Sequence, residues 1–141
     1  MSSNSGSGKG SSSDPHGIAQ VLADLQKQYI QGLPGKADNI EKLWAQKQIQ
    51  EIETEFHKLK GTGKTYGLPE ISQVGEVAEA LCEANIETLA QALPLAVRLL
   101  RKVHQLRTAS ETLRFDLREE ADFQQLERLR AALGKGLGPQ R

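Results

Sequence analysis

Residues His57–Gly67 read HKLKGTGKTYG, with one histidine, three lysines, three glycines and no acid. His57, Lys60, Gly61 and Lys64 fall at i, i+3, i+4 and i+7, so a helix through this stretch sets all four on one stripe. From upstream of the stretch and on through it, Ile49, Ile52, Phe56, Leu59 and Gly63 recur at steps of three and four and mark a neighbouring apolar face. The pattern predicts a helix over 47–65. Its acids (Glu51, Glu53, Glu55) fall in the first half and its lysines mostly in the second, the order that the helix dipole favours. Gly61 and Gly63 each cost roughly 1 kcal/mol against alanine inside a helix. Two such costs in three residues point to a reason other than stability. Gly67, with Pro69 just beyond, supplies the stop.

The remaining elements extend outward from that helix. Downstream, Pro69 opens a helix whose core stripe is Ile71, Val74, Ala78 and Leu81, with Val77 beside it and Glu79 and Cys82 one residue round. Asn85 is placed to cap a long helix with Thr88 at the reciprocal position. Its seam is Ile86, Leu89, Leu93, Val97, Leu100 and Val103, continued by Leu106 or His104, and Pro94 inside it predicts a kink or short break. Arg98, Arg101, Lys102, His104 and Arg107 occupy the polar side. Residues 110–115 read as a joint, Asp116–Glu119 has capping-box spacing, and Asp122 is a further cap candidate. Phe123, Leu126, Leu129, Ala132 and Leu133 mark a last amphipathic helix before the tail GKGLGPQR. Upstream, Ile18, Val21, Leu22, Leu25 and Tyr29 form a helical seam. Gly32 and Pro34 punctuate the chain before a shorter helix carrying Ile40, Leu43 and Trp44, which ends near 45–47 without a Gly or Pro to mark it.

The expected fold is therefore all-α: an up-and-down antiparallel four-helix bundle with an additional N-terminal helix and a C-terminal extension helix. The organisation reads as a Ser/Gly-rich leader or linker over 1–16, a bundle over 17–108, and a C-terminal helix with tail over 109–141. Eighteen basic and eighteen acidic residues cancel, which removes any global argument for nucleic acid or an anionic membrane. The basic face of 98–107 has no interleaved aromatics and reads as a solvated face. One cysteine, Cys82, excludes an internal disulfide. There is no apolar run of spanning length and no hydrophobic signal region, so the expected location is cytoplasmic. The leader segment GSGKGS lacks the spacing of a phosphate-binding loop.

At neutral pH an imidazole is largely in its nucleophilic form and can carry a transferring group covalently. A transferring phosphoryl spreads charge over its equatorial oxygens, which a cation one helical turn away stabilises. Lys60 is one turn from His57, and Gly61 removes the side chain that would obstruct a partner. No second histidine, cysteine or carboxylate shares the stripe, so no metal and no cofactor is expected.

The segment resembles the His-x-Leu-Lys-Gly-x5-Gly signature of histidine-containing phosphotransfer domains, the HPt modules of two-component phosphorelays. His57, Leu59, Lys60, Gly61 and Gly67 match it, and the helix order of 18–107 is similar. The resemblance implies a relay that is not itself an enzyme, with receiver domains and an upstream histidine kinase as partners. It implies His57 as phosphoacceptor through Nε2, Lys60 offsetting phosphate charge, and Gly61 leaving room for docking. Any magnesium would sit on the receiver. By position, Glu79 is either the group that orients the ring through Nδ1 or a solvated helix carboxylate. Lys58 and Lys64 either tune partner choice or are ordinary solvated lysines. Phe56 departs from the small residue usual in the family and asks for a roomier pocket. A monomer is expected. Two other readings stay open: a receiver-binding adaptor without phosphate exchange, and the phosphoacceptor domain of a chemotaxis-type kinase.

Overall fold

The computed structural model describes residues 15–109 and 116–134. Within them the elements are α1 (Pro15–Gln31), α2 (Leu33–Ala45), α3 (Ile49–Thr65), α4 (Pro69–Leu81), α5 (Ile86–Ala109), a 3-10 turn (Leu117–Glu119) and α6 (Ala121–Gly134). The described residues contain no strand. The fold is all-α, and no helix in it is long and apolar enough to cross a membrane. Residues 1–14 of the leader, the 110–115 joint and residues 135–141 of the tail lie outside the described residues. Pro15 and His16, read from the sequence as leader, belong to α1. Proline suits a first helical position, where its missing N–H has no intrahelical partner to lose. Neither residue contributes to an apolar period, so periodicity could not place the boundary.

α3 packs most extensively on α4, α2 contacts α3 and α5, and α5 contacts α4 and α2. Between them lies one core that includes Ile40, Ile52, Phe56, Ile71, Val74, Leu89 and Leu100. The seams of α3, α4 and α5 turn inward as their spacing requires, although Ile86 at the start of α5 stays exposed. α6 lies across α4 and α5, with Phe123 and Leu126 buried in the same core. The C-terminal helix is therefore part of the packed unit.

Two helix ends use the same backbone closure. At the end of α3, Leu68 N donates to Gly63 O (2.7 Å) and Gly67 N to Lys64 O (3.2 Å), the paired bonds of a left-handed stop. Gly67 takes the left-handed conformation there (φ +70°). At the end of α2, Gln48 N donates to Leu43 O and Lys47 N to Trp44 O, both at 2.9 Å. Here the left-handed residue is Lys47 (φ 58°), so the boundary carries no glycine to betray it. The Lys47 ammonium sits 3.9 Å from the centre of the Trp44 ring, a cation–π contact that helps to hold the turn.

α1 is helical as its period requires, but Ile18, Val21, Leu22 and Leu25 of its seam are exposed at 58, 59, 41 and 39 %. α1 contacts α5 and α2, and its C-terminal end is tied to the end of α3. Tyr29 Oη shares a hydrogen bond with Thr62 Oγ1 (2.6 Å), Gln26 Nε2 donates to Tyr66 O, and the Tyr29 and Tyr66 rings stack obliquely at 5.4 Å. These partners advance along α3 as α1 is followed backwards. The helices are thus antiparallel, and residues before Gln26 project past the end of α3.

Three further local readings take definite form. α5 runs through Pro94 without a break; Pro94 is exposed, as is Ala90, whose carbonyl loses its helical N–H partner. Asp116 does cap, its side chain accepting from Arg118 N, and the element it caps is the 3-10 turn. Asp122 lies inside α6, where it receives both Nε and Nη2 of Arg98 at 3.0 Å and so does not cap. Asn85 does cap α5, accepting from Thr88 N at 2.7 Å.

Candidate functional site

The stripe read from the sequence lies on the outer surface of α3, with the core face of Phe56, Leu59 and Gly63 behind it. His57 has a 66 % exposed side chain. Gly61, one turn on, has nothing within 4 Å of where a Cβ would stand, and Lys64 beyond it is exposed. Lys58 is 65 % exposed and reaches Glu55 only at 3.6 Å, a solvated lysine beside the stripe.

Glu79 comes to this stripe from α4. Its Oε2 lies 2.8 Å from His57 Nδ1 and its Oε1 lies 3.0 Å from Lys60 Nζ, so one carboxylate joins both side chains. With the carboxylate ionised, Nδ1 is the ring nitrogen that donates, and the Nε2 lone pair is left facing solvent. Partial burial alone would push the Glu79 carboxyl up. The bonds from Lys60 and then His57 outweigh that and hold it below the usual carboxylate range. His57, Lys60 and Glu79 are thus brought together. Gly61, Lys58 and Lys64 lie around them without touching the triad.

Around the far side of this cluster the field is acidic. The Glu53 carboxyl, one turn before His57, is raised by partial burial and then by the neighbouring carboxyl of Glu83. Cys82 is buried at the same end of α4, and burial followed by the charges of Glu53, Glu79 and Glu83 pushes its thiol up to about 12. It remains a neutral, unreactive thiol at physiological pH. Among the described residues no group of three or more His, Cys, Asp or Glu is placed to hold a metal ion.

Close contact between α3 and α4 makes this geometry possible. A Cβ on Gly75 would stand 2.6 Å from Lys60 N and 2.7 Å from Phe56 O, and one on Gly63 would stand 2.5 Å from Ser72 N. Both helices therefore meet backbone to backbone, on either side of Lys60. Ser72 Oγ adds a 2.9 Å bond to Lys60 O. The fully buried Phe56 is accommodated inside this crossing. Sequence reasoning assigned Gly63 to the inner face but passed over Gly75 and Ser72. A signal was present: Gly75 is i+4 from core residue Ile71 and sits mid-helix, where glycine is costly.

Tyr66 and Leu68, near the stripe in sequence, are structural. Tyr66 packs on Tyr29, and Leu68 is fully buried. The basic side of α5 is internally paired: Arg98 with Asp122, Arg101 with Asp38 and Glu41, Lys102 with Glu120, and Arg107 with the buried Glu70. These cations tie α5 to α2, α4 and the α6 region and do not form a free basic face.

A family model for the Hpt domain matches residues 24–135, most of the chain. The chain belongs to the Hpt domain family. The match runs from within α1 through α6. Hpt domains act in phosphorelay histidine phosphotransfer, with receiver domains and kinases as partners. No curated protein and no solved structure matches this chain.

Proposed function

We propose that this Hpt domain is a phosphorelay intermediate in which His57 accepts a phosphoryl group from a receiver aspartate or a kinase and passes it on. The observation that carries the reading is the Glu79 bridge, which leaves an exposed histidine donating from Nδ1 with Nε2 unencumbered. In the forward step the Nε2 lone pair attacks the phosphorus of an aspartyl phosphate. The N–P bond forms, the P–O bond to the carboxylate breaks, and the receiver's aspartate leaves as its anion. The ring then carries positive charge, which the Glu79 carboxylate offsets through Nδ1–H. Lys60, already at the site, offsets the phosphoryl charge. The reverse step delivers the group to the next receiver. The magnesium that aspartyl phosphate chemistry uses belongs to the receiver partner.

The chain itself then turns over no substrate. Gly61 gives the docking partner its approach, and Lys58 and Lys64 supply positive charge on the same surface. In this reading α2–α5 form the antiparallel four-helix bundle, with α1 and α6 as additions, and the domain works as a cytoplasmic monomer. A single buried cysteine with no partner is compatible with a reducing compartment.

The test is labelling. Incubation with a phosphorylated receiver should place acid-labile radiolabel on the protein, and His57→Gln should abolish it while retaining receiver binding. Label persisting in His57→Gln would place the acceptor elsewhere. A wild-type protein that binds receivers but never takes label from receivers or kinases would be an adaptor.

A further inference from the structure

We propose that Gly75 and Ser72 are positioning residues for the histidine chemistry: their backbone-level contact with α3 sets the separation at which Glu79 reaches His57. The transfer readout below rests on the phosphotransfer reading of His57; the tautomer readout does not.

α4 touches α3 at the level of the backbone. Gly75 lies against Phe56 O, next to His57 in the chain, and against Lys60 N and Cα, one turn on. Ser72, three residues earlier and one turn along α4, ties the carbonyl of the same Lys60 at 2.9 Å. Glu79 is one turn further along α4 from Gly75, on the side that meets His57 and Lys60. Gly75 is buried, and the atoms nearest where its Cβ would stand are all backbone. It influences the ring only through the helix separation.

The magnitude is enough to matter. The hypothetical Cβ contacts of 2.6 and 2.7 Å fall below any distance that real Cβ atoms adopt, and the opposing atoms are backbone, which no rotamer change can move aside. Restoring ordinary contact needs α4 to withdraw by roughly 0.8 Å at this height, in a close-packed interior that transmits such strain. The His57–Glu79 bond is 2.8 Å. A comparable lengthening takes it to the range where a side-chain contact is no longer a hydrogen bond. The ring is then free to exchange its proton onto Nε2, the nitrogen that must attack.

The experiment compares wild type, Gly75→Ala and Ser72→Ala by two measurements. Long-range 1H–15N NMR of His57 reads the tautomer without any phosphate present. Labelling by phosphoramidate, a small phosphodonor that needs no docking partner, reads transfer. Wild type should show the Nδ1–H tautomer and take label on His57. Gly75→Ala should shift the ring towards Nε2–H and slow labelling by about tenfold or more, since a ~1 Å misplacement costs up to ~10²-fold. An Nδ1–H signature and a wild-type labelling rate in folded Gly75→Ala would overturn the proposal. If Gly75→Ala gives no cooperative melt, Ser72→Ala decides, because it removes the tie to Lys60 without adding bulk. The same shift in Ser72→Ala upholds the positioning role, and an unchanged tautomer and rate overturn it. A wild type that resists labelling while Gly75→Ala still changes tautomer would sink the phosphotransfer reading and leave the positioning role standing.

Discussion

Lys60 Nζ stands 3.0 Å from Glu79 Oε1, on the carboxylate whose other oxygen meets His57. The lysine is therefore engaged before any phosphoryl group arrives, and it also holds the orienting carboxylate in its ionised form. Lys60→Ala should act twice: the Glu79 carboxyl should titrate higher, and labelling of His57 should slow. Global stability should change by less than about 1 kcal/mol, because the lysine is 35 % exposed and such pairs are weak. Carboxyl NMR titration, labelling rates and urea melts of the same variant separate the three effects.

The acid side of the pH profile follows from Glu79. Its folded-state carboxyl is held below the ordinary glutamate value of about 4.3. The stabilisation of the His57–Glu79–Lys60 link is therefore complete above that ordinary value and is lost as pH falls through the depressed one. The Glu79 carboxyl carbon signal should stay that of an ionised carboxylate as pH falls to about 4.3 and change only in more acid solution. In Glu79→Gln this acid-side transition should vanish. A transition that survives in Glu79→Gln would assign it to another group.

Glu53 works in the opposite direction. Partial burial and the nearby Glu83 raise its folded carboxyl, so the proton-bound pair is favoured at low pH and that advantage disappears as pH rises through the raised value. Glu53→Gln should raise the melting temperature at pH 7 and have little effect near pH 4. A variant less stable than wild type at pH 7 would contradict the repulsion.

How much of this was open to reading in the chain differs by level. The inward faces of α3 and α4 were legible because Ile52, Phe56, Leu59 and Ile71, Val74, Leu81 keep a helical period that burial enforces. Glu79 was placed by counting from the histidine, and the structure sets it within hydrogen-bonding distance. The end of α2 was not legible, since Lys47 adopts a left-handed backbone that sequence normally signals with glycine. The exposure of Ile18 to Leu25 was hidden because periodicity records a helix's apolar face but not the length of its neighbours. The pairing of the α5 cations was hidden for a similar reason. Arg101 finds Asp38 and Arg107 finds Glu70 across dozens of residues, contacts that only the tertiary fold creates.

Lys47 offers a stability test free of the site. A non-glycine residue in the left-handed region costs about 1–2 kcal/mol. Lys47→Gly removes that cost but also the contact over Trp44, which is worth about 0.5–1 kcal/mol at an exposed position. The net expectation is a gain of about 0.5 kcal/mol in urea melts, with His57 labelling unchanged. A loss of stability would show that the Trp44 contact, and not backbone strain, dominates this turn.

Glu70 and Arg107 present the strongest single contribution to test. Glu70 is 6 % exposed at its side chain and receives Nε at 2.8 Å and Nη2 at 2.6 Å from Arg107, which joins the start of α4 to the end of α5. Removing only the arginine leaves the Glu70 carboxyl group buried without that partner. Arg107→Met should therefore cost about 3–5 kcal/mol, whereas Glu70→Met with Arg107→Met should recover much of that loss, because burying the pair was itself costly. The first turn of α4 favours a negative charge through the helix dipole, so recovery should fall short of complete. A double-mutant cycle in urea measures the coupling directly. Additive costs would mean that the two side chains, though in contact, contribute independently.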